Sequence, residues 1–182
     1  MINYVIRFVT WAAVVNMLIS TTVFGASLIL AQSESSSSTG STTDKKSKLV
    51  SLWQPGDPGQ RMNIRGRVTS IDGTPVAGAS IFIRQTDGNG DYHDVRYNAT
   101  LTTDEKGGYQ FGSVLPGQYY GIKHVHVWVN HEAYQYMETR MLFKGDPNLD
   151  ESTAPNAIFL EEGNVNGETV LFGRFDMVLT PK

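Results

Sequence analysis

The chain predicts an all-β fold, a two-sheet β-sandwich, on three observations. Apolar and polar residues alternate at a period of two in short runs such as Ile81 to Ile83 and Val125 to Val129, the pattern of half-buried strands. Gly, Pro and Asp pairs punctuate these runs as turns. Beyond residue 53 no stretch sustains a 3.6-residue apolar period, so no long helix is expected in the domain. Strands separated in this way pack as two facing sheets.

The N-terminal part reads differently. Of 182 residues 40% are hydrophobic, 18 are glycine and none is cysteine, with a formal net charge of −3. That describes one globular domain plus an extra segment, with no basic excess to suggest nucleic acid, and it excludes a disulfide scaffold. From Phe8 to Ala31 no residue is charged, and Arg7 precedes the run. This is the order of a signal peptide, and the run is also long enough to serve instead as an uncleaved N-terminal membrane anchor. Residues 1–31 are therefore expected to place the domain outside the cytoplasm, secreted, extracellular or periplasmic. Residues 32–48 carry no apolar side chain, and 32–52 reads as a Ser/Thr-rich flexible linker. The folded domain is expected over 53–182, beginning near Trp53 or Met62.

Within the domain Ile64 to Ser70 reads as a strand and Asp72-Gly73 as a hairpin turn. Ala79 to Gln85 reads as a second strand, with Ile81 and Ile83 on one face. Asp87-Gly88 and Asn89-Gly90 open a longer loop that carries Tyr92. Tyr109 to Phe111, Val125 to Val129, Thr139 to Phe143 and Val170 to Leu179 supply further strands.

The candidate site centres on His124 and His126. They alternate with Val125, Val127 and Val129, so both imidazoles leave the same face of a strand, about 7 Å apart at Cα. Two neutral imidazoles on one rigid strand can grip one metal ion; the plainer reading is that they decorate its outer face. Tyr119 lies five residues before His124, after the turn Pro116-Gly117, and Tyr92 lies in the upstream loop. Without cysteine, a tightly held metal must be bound through nitrogen and oxygen.

In order along the chain, Gly73-Thr-Pro-Val-Ala-Gly-Ala79, Gly90-Asp-Tyr92, Thr103-Asp-Glu-Lys-Gly-Gly-Tyr-Gln-Phe111, Leu115-Pro-Gly-Gln-Tyr119, His124-Val-His126, Phe143-Lys-Gly-Asp-Pro147 and Phe175-Asp-Met-Val-Leu179 form a pattern. Over roughly residues 60–180 it resembles the intradiol ring-cleavage dioxygenases of the protocatechuate 3,4- and catechol 1,2-dioxygenase type. The resemblance implies a non-haem Fe(3+) centre held by Tyr92, Tyr119, His124 and His126. It implies Tyr92 and His124 as equatorial ligands and Tyr119 and His126 as the axial pair. A catechol binding through both oxygens would displace Tyr119, which takes up a proton, and O2 would open the ring between the hydroxyls to a muconate-type dicarboxylate. No organic cofactor is implied. A phenol ionises on its own only near pH 10, but a ferric ion would hold both as tyrosinates.

Tyr120 is the alternative to Tyr119, and Tyr97 to Tyr92; His93 and His131 read as surface or supporting groups. The chain departs from the family at Gly121, where an arginine facing the catecholate is usual, and at Arg140, where a glutamine is usual. Arg140, a catalytic candidate with Tyr119, is expected to supply from a neighbouring strand the positive charge lost at Gly121; the plainer reading is a solvated strand residue. Lys123 is a second candidate, although alternation points it away from the histidine face.

Two other readings stand beside this one. Val68 to Phe82, Thr103 to Phe111 and Leu115-Pro-Gly also resemble transthyretin-like or carboxypeptidase-regulatory sandwiches, which would make the domain an exported, non-catalytic binding module. Loss of the usual arginine at Gly121 fits a metal-binding homologue without ring cleavage. The identity of the catechol is open, as is assembly as a homo-oligomer. Asn98-Ala-Thr100 fits a glycosylation sequon.

Overall fold

The computed structural model describes residues 47–182, so the expected signal or anchor segment and most of the linker lie outside the described residues. Eleven strands and one 3-10 turn at Ala154–Asn156 follow in order: β1 Val50–Ser51, β2 Arg61–Ser70, β3 Ser80–Arg84, β4 Asn98–Thr102, β5 Gly108–Val114, β6 His124–Asn130, β7 Met137–Phe143, β8 Ala157–Ile158, β9 Leu160–Val165, β10 Glu168–Arg174 and β11 Met177–Leu179. There is no α-helix among the described residues, where the sequence predicts no long one.

The strands form two sheets. One runs β1-β5-β2-β10-β9 with β11 also pairing β2; the other runs β4-β3-β6-β7-β8. Inward residues of both build one core. Ile64, Val68 and Phe111 come from the first sheet, and Ile81, Ile83, Val125, Val127, Val129 and Met141 from the second. All nine are essentially without solvent exposure. Burying such side chains contributes about 1.5–3 kcal/mol apiece, the main term that holds the sheets face to face.

Three boundaries differ from the sequence reading, each for a physical reason. The sandwich takes in Val50–Ser51, which the sequence assigns to the linker: β1 pairs parallel with β5, Val50 opposite Phe111. Two residues are too few to show a period. β4 and β9, which the sequence reading does not assign, lie at sheet edges; β4 turns only Ala99 and Leu101 inward and β9 packs on the core through Leu160, too few apolar positions to mark a strand. The single strand expected over Val170 to Leu179 is two, broken at Phe175-Asp176. There the Asp176 carboxylate accepts from the Arg67 amide at 2.8 Å, and the Phe175 carbonyl accepts from the Tyr109 hydroxyl at 2.5 Å. A Cβ at Gly66 would lie 1.8 Å from that carbonyl oxygen, so only glycine lets the chain cross there.

Candidate metal centre

β6 pairs with β3 on one side and β7 on the other, both antiparallel. With Val125, Val127 and Val129 buried in the core, His124, His126 and Trp128 stand on the outer face of this sheet, half-buried. The two imidazoles face each other, Nε2 to Nε2 at 3.0 Å. An ion about 2.1 Å from each nitrogen, with the two bonds at right angles, sets them about 3 Å apart, so the pair has the separation of adjacent ligands.

The ring of His124 is oriented by its own backbone: Nδ1 donates to the Ile122 carbonyl at 2.7 Å, which leaves the Nε2 lone pair free for a metal. His126 stacks on Trp128, with ring centroids 5.3 Å apart and planes 10° from parallel. Burial, followed by the neighbouring His124 and Arg140, pushes the His126 pKa down, toward the neutral form a metal requires. The start of β6 is anchored by the Gly145-Asp146-Pro147 motif. Asp146 accepts from the Lys123 amide at 2.7 Å, and hydrogen bonds from Asn148 and Lys123 hold its carboxyl low against the opposing effect of burial.

The tyrosines come from two loops that are pressed together. The Gly117 amide donates to the Asp87 carbonyl at 2.6 Å, and a Cβ on Gly117 would meet the Gly90 nitrogen at 2.2 Å. The Asp87 side chain closes the first loop by accepting from the amides of Asn89 and Asp91, at 2.8 and 3.1 Å, and from His93 Nε2 at 3.0 Å. Burial alone would raise this carboxyl, but His93 and the two amides hold it below the ordinary range. As a result the rings of Tyr92 and Tyr119 meet edge to face, centroids 5.0 Å apart. Burial raises the Tyr92 phenol, and Arg84 opposes that rise.

The alternatives separate clearly. Tyr120 is 93% exposed at a left-handed φ of 44° and touches only the edge of Tyr119. Tyr97 is buried beneath Arg96, where burial and then Asp57 raise its phenol. His93 is a loop staple, and His131 packs on Tyr134 outside this cluster. Gly121 has φ of 114° and open space where a Cβ would point. The arginine usual there would need a backbone that L-residues rarely adopt, so its loss is built into the turn.

Arg140 stands directly opposite His126 on β7 and lines a groove of about 890 Å³ with His126, Leu142, Asn156 and Arg174. Sequence reasoning missed Arg84. It pairs with His126 from the other side, on β3, and its guanidinium lies 4.9 Å from the centre of the Tyr92 ring. Alternation with Ile81 and Ile83 puts Arg84 on an outer face, but nothing in the linear sequence pairs β3 with β6. Arg84 thus joins the two halves, touching Tyr92 and flanking His126.

Among the described residues no cluster of three or more His, Asp or Glu could hold a metal. A tight centre here has to draw on phenols, and two imidazoles with two phenols form a donor set that fits a hard, highly charged ion such as Fe(3+).

Comparison with known proteins supports the intradiol resemblance in sequence and shows the fold in structure. In sequence, the chain is 24% identical over 156 residues to a chlorocatechol 1,2-dioxygenase of Rhodococcus opacus, covering 68% of this chain and 61% of that one. It is 30% identical over 119 residues to catechol 1,2-dioxygenase 2 of Acinetobacter lwoffii, covering 51% and 43%. The chain spans about half the length of the curated relatives it matches, between 43% and 61%. In structure, it superposes on the catechol 1,2-dioxygenase of Pseudomonas arvilla C-1 with a TM-score of 0.65 and 22% identity, over 73% of this chain and 56% of that one. The fold is therefore the intradiol dioxygenase sandwich, and the curated relatives are catechol-type 1,2-dioxygenases, as the motifs suggest. A family model described as a carboxypeptidase regulatory-like domain also matches, over residues 63–122. It takes in both tyrosines and stops short of the histidines.

Proposed function

We propose that this protein is a non-haem ferric dioxygenase that uses O2 to open a catechol-type ring between its two hydroxyls, giving a muconate-type dicarboxylate. The observation that carries the reading is the His124–His126 pair, two Nε2 atoms 3.0 Å apart with one ring oriented by a backbone carbonyl, on the strand that follows a paired Tyr92 and Tyr119. Tyr92, Tyr119, His124 and His126 would hold Fe(3+), which when bound supplies Lewis acidity toward the catechol oxygens.

The chain's own groups divide the remaining work. Tyr119, 44% exposed, is the ligand with room to swing away and accept a catechol proton, whereas Tyr92 is half-buried and held beneath Arg84. His124 and His126 stay fixed by strand register. Arg140, opposite His126 in the groove, stabilises negative charge that develops on the ring, in place of the arginine absent at Gly121. Export, by signal peptide or anchor, would make this an extracellular or periplasmic activity on aromatic compounds.

The test is the visible spectrum of the iron-loaded protein, followed by catechol under air with an oxygen electrode. A broad visible band that shifts with catechol and then decays as oxygen is consumed is the expected result. Arg140→Gln should lower turnover while iron stays bound.

The match over residues 63–122 favours a second reading, an exported carboxypeptidase-regulatory-like or transthyretin-like binding module. A colourless protein that takes up no iron would select it. A stable band that persists with catechol would select a metal-binding homologue without ring cleavage.

A further inference from the structure

Among the described residues, the strands that end the two sheets are not alike. β1 and β8 have two residues each, and β9 carries Glu161 and Glu162. Short or charged strands of this kind discourage pairing along a sheet edge. β4, Asn98-Ala-Thr-Leu-Thr102, has five residues with neither charge nor proline, and among the described residues it pairs with β3 alone.

The register fixes which of its peptide groups face outward. At one end the Gln85 amide donates to the Tyr97 carbonyl, and at the other the Thr103 amide donates to the Ala79 carbonyl, each at 3.0 Å. Hydrogen-bonded pairs recur at every second residue of an antiparallel ladder, so Tyr97, Ala99, Leu101 and Thr103 turn their peptide groups toward β3. The amides and carbonyls of Asn98, Thr100 and Thr102 therefore point to the open edge. The Asn98 side chain turns back along its own chain, donating to the Arg96 and Asp94 carbonyls at 3.1 and 3.4 Å.

This edge is complementary to itself. Laid antiparallel to a second copy with Thr100 opposite Thr100, it sets Asn98 against Thr102 and Ala99 against Leu101. The outward peptide groups then bond to one another, polar side chains meet on the outer face, and apolar ones meet on the inner face. A slip of one residue would set outward peptide groups against those already bonded to β3. Continued past the strand ends, the same register sets Arg96, which pairs with Asp57 of its own chain, level with Asp104 of the second copy, and Asp94 level with Lys106. The charges are opposite in both cases.

We propose that two copies of this chain join edge to edge through β4, related by a two-fold axis at Thr100. The contact doubles the five-stranded second sheet, with β4 of one copy beside β4 of the other. The axis stands perpendicular to the sheet, so both copies present His124 and His126 on the same side. At about 4.8 Å per strand spacing, the two copies of β6 lie about 24 Å apart. The contact includes none of the candidate metal ligands, so it holds or fails independently of the catechol reading.

The chain has no cysteine, which allows a direct test. In Thr100→Cys the new thiols meet across the axis at a Cα separation of about 5.5 Å, within disulfide range. With the full chain in mild detergent and oxidised glutathione as the oxidant, Thr100→Cys should give a covalent dimer on a non-reducing gel. Glu162→Cys, on the charged edge of β9, should not. Sedimentation equilibrium at about 100 µM, which populates even a weak interface, should give wild type twice the mass of one chain. Thr100→Lys sets like charges directly opposite and should weaken association about tenfold or more. A monomeric wild type, a Thr100→Lys protein that associates as wild type does, or Glu162→Cys cross-linking as readily as Thr100→Cys would each overturn the β4 contact.

Discussion

The two halves of the candidate centre are held by opposite means. The histidines sit on β6, paired on both sides, and their orientation follows from strand register and one bond to the chain's own carbonyl. The tyrosines sit on two loops, and their meeting depends on a buried aspartate and on a contact so close that only glycine fits. The boundary of the carboxypeptidase regulatory-like match falls between these halves, after residue 122. A common sandwich thus accounts for the loops, and the two candidate histidine ligands enter with the next strand. Geometry carried by regular structure should resist perturbation, whereas geometry carried by loops should not.

Substitutions can break this contrast. His126→Ala removes a ligand without touching the core, so iron affinity should fall by more than about 100-fold, the scale that outer-shell changes alone can reach. The melting temperature of the iron-free protein should stay near wild type; a retained visible band would sink the assignment.

Gly117→Ala should act on the other half. The added carbon has nowhere to go beside Gly90, so stability should fall by about 1–3 kcal/mol in urea denaturation. The tyrosinate band should weaken while the histidines remain in place. An unchanged band would mean that the loops adjust independently of Tyr92 and Tyr119.

Asp87→Asn should cost about 1–2 kcal/mol, because the charge-assisted bonds that close the Tyr92 loop are lost. Its sign with pH is fixed. The folded carboxyl lies below its unfolded value, so its contribution is present above about pH 4 and disappears as pH falls through the folded value. The variant should therefore show a flatter loss of stability in acid, as measured by denaturation across pH. The smallest effect belongs to Tyr120→Phe. With the side chain 93% exposed, stability should move by less than about 0.5 kcal/mol and the visible band should not shift.

The sequence was most informative where burial is one-sided. Alternation placed His124 and His126 on one face and Val125, Val127 and Val129 on the other, and the core confirms that division. It was silent at the edges: β4 turns only Ala99 and Leu101 inward, β9 carries Leu160 and Val165 at its ends with polar residues and a glycine between, and β1 is two residues long. The break at Phe175-Asp176 depends on Gly66 and Tyr109, far away in the chain, so no local pattern could reveal it. Arg84 escaped notice for the same reason, since its relation to His126 exists only once β3 and β6 are neighbours. The meeting of the Tyr92 and Tyr119 rings likewise exists only once their two loops are pressed together.

The bond from His124 Nδ1 to the Ile122 carbonyl has one more consequence. In many metal sites a carboxylate side chain holds the ligand histidine in its tautomer, and a single substitution there can undo it. Here the partner is a backbone carbonyl, which every residue type supplies. Ile122 can be exchanged for another side chain without removing the acceptor, so the surroundings of this histidine are free to diverge while its aim is inherited with the path of the main chain.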